Sequence, residues 1–418
     1  MIKLLDKTIL VLVCLIPLAL ITGPFLPDLF LSLVSIFFLF ISFLKKDYKY
    51  FQNKYFGIFL IFYFYICITS FFATDFLYSF VNAILYIRFI IFPIAVIYLV
   101  DNYKKILLYF FISTGLSLLI VLLSGYLQYF FHYSVFDYDY DGKRLSGIFG
   151  EEQKLGSYLI RLFPIFLGLL FLLIKNSYLQ ICIFIFSFLT ISVLVFLSGE
   201  RAAFFYTILS TIIVVICLNR FLLIRIGVMI MSVSLIFFVL SNDSKVRERM
   251  IGDTVRHLNL SGLQTGELNI FSPTHEKIML TSLKIYKDNY IFGTGVKSFR
   301  IECKKPKYFD KLGCRNHPHN TYVQLLNETG IFGFIFFTLI FFYISILLFK
   351  HFVHIYSRKK IFSNKYELDN FQICILLSII ITLWPFIPTG NFFNNWLSVI
   401  YYLPIGFLLS HKKINEYL

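Results

Sequence analysis

Uninterrupted apolar runs recur from one end of this chain to the other, and each is long enough to cross a bilayer. A helix needs roughly 17–25 apolar residues to span the hydrocarbon, whereas barrel strands are shorter and alternate. Inside lipid every backbone amide and carbonyl must be satisfied within the chain, so runs of this kind are expected to fold as helices. They stand at about residues 8–22, 29–44, 55–72, 80–100, 106–126, 156–174, 179–198, 202–219, 221–241, 329–349, 371–388 and 393–410. The expected fold is all-α: a polytopic membrane protein of about twelve transmembrane helices, with a large helical loop between helices 9 and 10. Composition agrees, because only 15% of the 418 residues are charged, against roughly 25% in a soluble domain. The first run is followed by no small-x-small cleavage site and at once by another apolar run near Leu29, so it reads as a retained helix and not a signal peptide.

Lysine and arginine in the short loops set the orientation. With the N-terminus inside, the inside segments carry Lys3 and Lys7; Lys45, Lys46, Lys49 and Lys54; Lys104 and Lys105; Lys175; Arg220 and Arg225; Lys350, Arg358, Lys359, Lys360 and Lys365; and Lys412 and Lys413. The short outside loops near 23–28, 73–79 and 389–392 carry none. Both termini are thus expected inside, and much of the net charge of +15 is topology signal. In a soluble protein such a charge would point to nucleic acid; here no nucleic-acid partner is expected. Two outside segments are long, about 126–155 and about 241–328. The second is too long for a connector, which divides the chain into residues 1–241 (helices 1–9), 242–328 (a folded cap) and 329–418 (helices 10–12). The cap contains helical patterns such as Glu276–Tyr286, and its basic residues outnumber its acidic ones. Long translocated loops are exempt from the positive-inside rule, so that excess suggests an anionic ligand.

Three arginines fall within or at the edge of spans on the outer side: Arg88, Arg161 and Arg201. They read either as structural ion pairs or as ligands for a pyrophosphate, whose oxygens match the guanidinium fork. In the cap, Gly293 and Gly295 suggest a turn whose amides approach a phosphate, with Lys297 nearby; a plain turn is the simpler reading. The most informative run is Asn316-His-Pro-His-Asn-Thr-Tyr-Val-Gln-Leu-Leu-Asn-Glu-Thr-Gly-Ile-Phe-Gly333. Pro318 fixes the approach and Asn320 is a suitable N-cap for a helix from Thr321. His319 then stands just before a helix N-terminus, where the dipole and nearby arginines disfavour its cation, so it is suited to act as a general base beside His317. Gly330 and Gly333 allow close packing where the chain re-enters the membrane. Seven cysteines show no metal-type spacing, and no His/Asp/Glu cluster on the outer side has ligand spacing, so neither a metal nor another cofactor is expected. Cys14, Cys67, Cys182, Cys217 and Cys374 lie in apolar runs. Cys303 and Cys314 are the cap's only cysteines, in an oxidising compartment, and are expected to pair.

His319-Asn320, nine residues, then Gly330-x-x-Gly333 resembles the signature of the O-antigen ligase and polymerase superfamily. Ser198-Gly-Glu-Arg201, Gly293-x-Gly295 and Arg144-Leu-Ser-Gly-Ile-Phe-Gly150 also resemble family positions, and the resemblance is firmest from about 140 to 335. It implies a glycosyltransferase of the bacterial inner membrane, with its active site on the periplasmic face. Such an enzyme moves a glycan from undecaprenyl pyrophosphate to an acceptor hydroxyl, with inversion and without a metal. His319 matches the proposed base and Arg201 a proposed pyrophosphate ligand. Many members have an arginine where this chain has His275, so Arg300, Arg247 or Arg144 is the candidate for the second charge. Compact length and the His-Pro-His-Asn form look more like the ligases, whose acceptor is lipid A-core, than the polymerases, which join lipid-linked repeats. A polysaccharide transporter would instead show midplane polar residues and repeated halves, and none are visible.

Overall fold

The computed structural model describes residues 1–136, 142–258, 271–357 and 367–410. Arg358, Lys359, Lys360, Lys365, Lys412 and Lys413, on which part of the expected orientation rests, lie outside the described residues. Among the described residues the regular structure is helical, with no strand. In order these helices are α1 (Ile2–Ala19), α2 (Phe25–Lys45), α3 (Lys54–Thr69), α4 (Phe76–Ile84), α5 (Ile87–Asn102), α6 (Ile106–Phe131), α7 (Leu155–Leu173), α8 (Ser177–Leu197), α9 (Arg201–Cys217) and α10 (Leu222–Asn242). Short α11 (Ser244–Arg247) and α12 (Asp253–His257), then α13 (Pro273–Asp288) and short α14 (Phe299–Glu302), form the intervening segment. The chain closes with α15 (Thr321–Tyr356), α16 (Asn370–Thr382) and α17 (Asn395–Leu409). Nine helical stretches among the described residues, α4 and α5 counted together, are long and apolar enough to cross a membrane. Shorter apolar helices α9, α16 and α17 occupy the three remaining expected positions. The chain is therefore an all-helical polytopic membrane protein.

Polar caps mark many helix boundaries. Asn53, Asn176 and Asn394 accept from the first-turn amides of α3, α8 and α17, and Asp369 with Gln372 forms a reciprocal capping box on α16. Helices α5, α7, α16 and α17 are buried along nearly their whole length, while α3, α10 and the second half of α15 expose large apolar side chains such as Ile61, Phe64, Phe237, Phe238, Leu339 and Phe349. Apolar side chains on the outside and a packed centre are what a lipid solvent permits.

Three expected spans differ from the observed helices. The run at 80–100 is split at Leu85 and Tyr86, which lets the chain pass from exposed α4 to α5, where every residue from Phe89 to Val100 is buried. The run at 371–388 stays helical only to Thr382, because Pro385 and Pro388 each lack an amide donor and keep the residue before them out of the helical region. The span expected to begin at 329 is preceded by a buried half-helix, Thr321–Thr329, that ends in a break at Gly330 (φ 64°, ψ −166°). This half-helix is unusually polar for its depth: Gln324, Asn327 and Glu328 have no exposed surface.

Glycine is required at the break. A Cβ on Gly330 would strike the carbonyl of Ile291 and come within 2.8 Å of the Gly293 amide nitrogen, and a Cβ on Gly293 (φ 70°) would lie 2.6 Å from the Thr329 nitrogen. The two backbones touch directly, and a left-handed φ costs an ordinary residue about 1–2 kcal/mol before any clash. Gly330→Ala is therefore expected to lower the thermal stability of the purified protein clearly, by more than the ~1 kcal/mol of a typical substitution. An unchanged melting temperature in detergent would remove this contact as a structural requirement.

Candidate functional site

Four elements meet around the His-Pro-His-Asn loop: the half-helix that begins α15, the stretch after α16, the segment between α13 and α14, and the start of α9. Asn320 caps α15, its Oδ1 accepting from the amides of Tyr322 (3.0 Å) and Val323 (3.1 Å). Its Nδ2 donates to the Pro385 carbonyl at 2.7 Å, and the Thr389 amide donates to the His319 carbonyl at 2.8 Å. The residues freed by the early end of α16 thus grip the loop. His319 is held with φ 57°, a left-handed conformation uncommon for a non-glycine residue. Strain of this kind persists only where the surroundings fix it, and it collects at functional sites.

Three imidazoles cluster here, one pair tilted and the other edge to face. The ring of His319 lies 3.9 Å from that of His317 and 5.2 Å from that of His275, centroid to centroid. Burial, then the imidazoles of His317 and His275 and the Arg315 guanidinium, push His319 down to about 3. Burial pushes His317 down to about 4, opposed by a backbone contact with Thr389 and assisted by Arg300 and His275. His275, which also bonds Ser272 Oγ through Nδ1 (2.8 Å), is lowered by burial and then by Arg201 and His257. All three rings are therefore neutral at pH 7, and a neutral ring nitrogen can accept a proton.

Cations flank the imidazoles on two sides. On one, Arg201 opens α9 from the turn Ser198-Gly199-Glu200. Glu200 reaches back to cap α7, accepting from the amides of Gly156 (2.6 Å) and Ser157 (3.1 Å) and from Ser157 Oγ (2.6 Å). Arg201 Nη1 donates to Thr254 Oγ1 (3.3 Å), and Nη2 faces His257 Nδ1 at 2.8 Å. Arg144 runs beside the same turn and donates to the Gln153 carbonyl at 3.2 Å. On the other side a cleft of about 440 Å³ is lined by Lys154, Arg161, Arg300 and His317, with Asn316, Asn391, Asn394 and Trp396 among its other walls and Glu152 at the same cleft paired with Lys154. Arg161 is only 4% exposed, and its Nε is buried without a hydrogen-bond partner, as are Arg300 Nε and His317 Nε2. The ion pairs formed by arginine among the described residues join Arg88, Arg249 and Arg256 to carboxylates, not Arg161, Arg201 or Arg300. Arg161 and Arg300, buried and half-buried with no salt bridge to a carboxylate among the described residues and with unpartnered Nε donors, suit an anion with several oxygens.

Two expected site groups are corrected. Arg88 is an ion-pair residue: Nε and Nη2 hold the Asp28 carboxylate at 2.8 and 3.2 Å, and Nη1 donates to the Leu85 carbonyl. Its donors join α5 to α2, and Asn395 of α17 binds the same carboxylate at 2.9 Å. The Gly293–Gly295 turn does not offer its amides to a phosphate. Gly293 donates to the Asn289 carbonyl, Thr294 and Gly295 to the carbonyls of Asn327 and Glu328, and Lys297 and Phe299 to the Glu328 carboxylate at 3.0 and 3.3 Å. The turn is a bracket for the half-helix. Lys297 (φ 59°) is half-buried there and held below its ordinary value by burial and Arg300, against Glu328 and Asp28. Arg247 is exposed and bonds the Leu240 carbonyl, away from this cluster.

Sequence reasoning missed Glu328, Gln324 and His257. The first two sit inside a run read for its histidine and glycines. Gln324 Nε2 bridges Glu328 (2.9 Å) and Asn391 (2.8 Å), and two acids or amides in an apolar stretch were the available signal. Cys303 and Cys314 are bonded, with Cα atoms 5.2 Å apart, and their loop packs on Ile278, Ile285 and Phe299. It ends next to Arg315 and the histidine loop.

The depressed imidazoles give a stability signature. Between the ordinary histidine value near 6.5 and these lowered values, the unfolded chain binds protons that the folded chain does not. Stability is thus fully present above pH 6.5 and is lost as pH falls toward 4. The melting temperature should drop across that window, and ring-labelled His319 should keep a neutral NMR signature at pH 5. A cationic His319 signal at pH 5 would contradict this account of the site.

A family model described as O-antigen ligase matches residues 186–338, a stretch that holds Arg201, the whole segment between α10 and α15, and the His-Pro-His-Asn loop. No curated protein matches the chain. That match, over residues 186–338, is consistent with the O-antigen ligase superfamily, whose signature the run around His319 also resembles.

Proposed function

We propose that the protein is a glycosyltransferase that joins a glycan from an undecaprenyl pyrophosphate donor to an acceptor hydroxyl, most simply O-antigen to lipid A-core. The observation that supports this reading is the neutral histidine His319, its ring 3.9 Å from that of His317 at the cleft of Arg161 and Arg300, and 5.2 Å from that of His275, which faces Arg201. The acceptor oxygen attacks the anomeric carbon from the face opposite the pyrophosphate. The bond from that carbon to the pyrophosphate oxygen breaks, its electron pair leaves with the lipid pyrophosphate, and the hydroxyl proton passes to a ring nitrogen of His319. The leaving group is already a stable anion, so no acid is needed; Arg201, Arg161 and Arg300 balance its charge. In this reading His275 does not replace the family's second arginine. Arg300, from the cleft, and Arg144, beside the Arg201 turn, supply that charge instead.

The topology follows the same proposal. With α9, α16 and α17 counted as crossings, twelve spans put the segment between α10 and α15 on the side opposite the lysine-rich loops, with both termini in the cytoplasm. The site then lies on the periplasmic face of the inner membrane, as a cap over residues 242–328 between helices 1–9 and 10–12.

Three measurements test this. His319→Ala should lose transfer by at least about 10²-fold while the protein still inserts and melts normally; near-normal transfer by the purified variant would remove His319 from the chemistry. Transfer should persist in excess EDTA, since the arginines supply the positive charge, and inhibition reversed by a divalent ion would count against the metal-free scheme. Deleting the gene and running the lipopolysaccharide on a gel separates the acceptors. Loss of the whole ladder with core retained identifies a ligase, core carrying a single repeat a polymerase, and an unchanged ladder neither.

A further inference from the structure

Arg201 is unusual among the arginines of the site because an imidazole, not a carboxylate, holds it. A guanidinium only donates, so the 2.8 Å contact between Arg201 Nη2 and His257 Nδ1 requires a lone pair on that nitrogen. Thr254 acts in the same sense: its hydroxyl donates to the Met250 carbonyl at 2.8 Å and so accepts from Arg201 Nη1 at 3.3 Å. Two neutral acceptors from one short helical segment thus fix both terminal nitrogens without cancelling the charge. Asp253, in the same segment, is occupied by Arg249 (3.1 Å) and by Arg256. Arg249 in turn donates to the Gly199 carbonyl at 3.2 Å, tying the segment to the turn that launches Arg201.

We propose that His257 is a positioning residue for the donor pyrophosphate: in its Nδ1-acceptor form it aims Arg201, and its protonation releases the arginine. This rests on Arg201 binding the donor. The neighbourhood favours the neutral ring. Among the described residues, the charged and titratable groups facing His257 include Arg201 from α9, Arg249, Asp253 and Arg256 from its own segment, and His275 from α13. Burial and then Arg201 lower its tendency to protonate, and Asp253 opposes them. A carboxylate in the same place would hold Arg201 more tightly but would neutralise it and repel a phosphate; an imidazole orients without either effect. Protonated His257 would place a second cation with a donor hydrogen against Arg201, and the contact would break.

The test is donor binding, measured on the full protein in nanodiscs with undecaprenyl pyrophosphate alone, so that His319 and the acceptor play no part. Wild-type affinity should fall as pH drops below the usual imidazole range. His257→Asn, whose Oδ1 can replace Nδ1 as acceptor and does not titrate, should keep affinity within a few-fold and lose that acid dependence. His257→Leu should weaken binding about tenfold or more, to near the level of Arg201→Ala, with both variants melting like wild type. In turnover the loss should appear in KM for the donor more than in kcat. If Arg201→Ala binds like wild type, the role of Arg201 fails and this proposal fails with it. If Arg201→Ala weakens binding while His257→Leu does not, or if His257→Asn keeps the full acid dependence, Arg201 stands and His257 is not its positioning residue.

Discussion

The backbone contact between Gly330 and the Ile291–Gly293 segment is the constraint on which the rest of the site depends. It brings the half-helix Thr321–Thr329 against the turn at 293–299, and that allows Glu328, with no exposed surface, to find the amides of Lys297 and Phe299. A buried acid without such partners would cost several kcal/mol. Asn327 does the same work one residue earlier, its carbonyl accepting from Thr294 and its amide donating to Ser282 of α13 at 3.0 Å. With its far end locked in this way, the half-helix presents a fixed N-terminus, and the cap residue Asn320 sets His319 in place. A side chain at either glycine separates the two backbones and removes the partners of the buried polar residues together.

Carboxylates sort the arginines of this protein into two kinds. Arg88 meets Asp28 and becomes a clamp between helices. Arg249 meets Asp253 and becomes a brace for the Arg201 turn. Arg161 and Arg300, facing the cleft, keep unpartnered Nε groups although buried or half-buried, and Arg161 instead lies 5.4 Å from the Tyr206 ring, which softens but does not cancel its charge. Such an arrangement is costly by itself, and the proposed donor pyrophosphate would offset that cost. Destabilised groups of this kind are what a binding site for charge development requires. Glu200 shows the converse: it caps the first amides of α7 and also faces Arg144, so it shapes the turn from which Arg201 starts.

Neutrality of the imidazoles follows from the same placement. His319, His317 and His275 are half-buried and face one another and the arginines, so each disfavours a proton on the next. Rings kept well below their ordinary value are in the neutral form at neutral pH, and His319 holds its place with a left-handed backbone (φ 57°).

Much of the fold was legible in the residues themselves. Long apolar runs have one solution in lipid, so the helical class and the approximate positions of the nine long apolar helices followed from chain composition and backbone hydrogen bonding. The cap of α15 by Asn320 was legible for a similar reason, since a cap is a contact between neighbours in sequence. The early end of α16 was written in Pro385 and Pro388, but its use was not: that the freed stretch would hold the His319 carbonyl and Asn320 depends on packing between segments about seventy residues apart. Glycines at 293 and 295 suggested either a plain turn or room for a phosphate; the tertiary structure fills that room with the backbone of α15 at Gly293 and with the side chains of Ser79 and Ala73 at Gly295. The same limit applies to every arginine. Arg88 and Arg161 are alike in sequence, each an isolated cation in an apolar run, and only the fold gave Asp28 to one and an open cleft to the other. Local chemistry determines which elements form and how they end; partnership between charges is a property of which elements meet, and the chain acquires it only on packing.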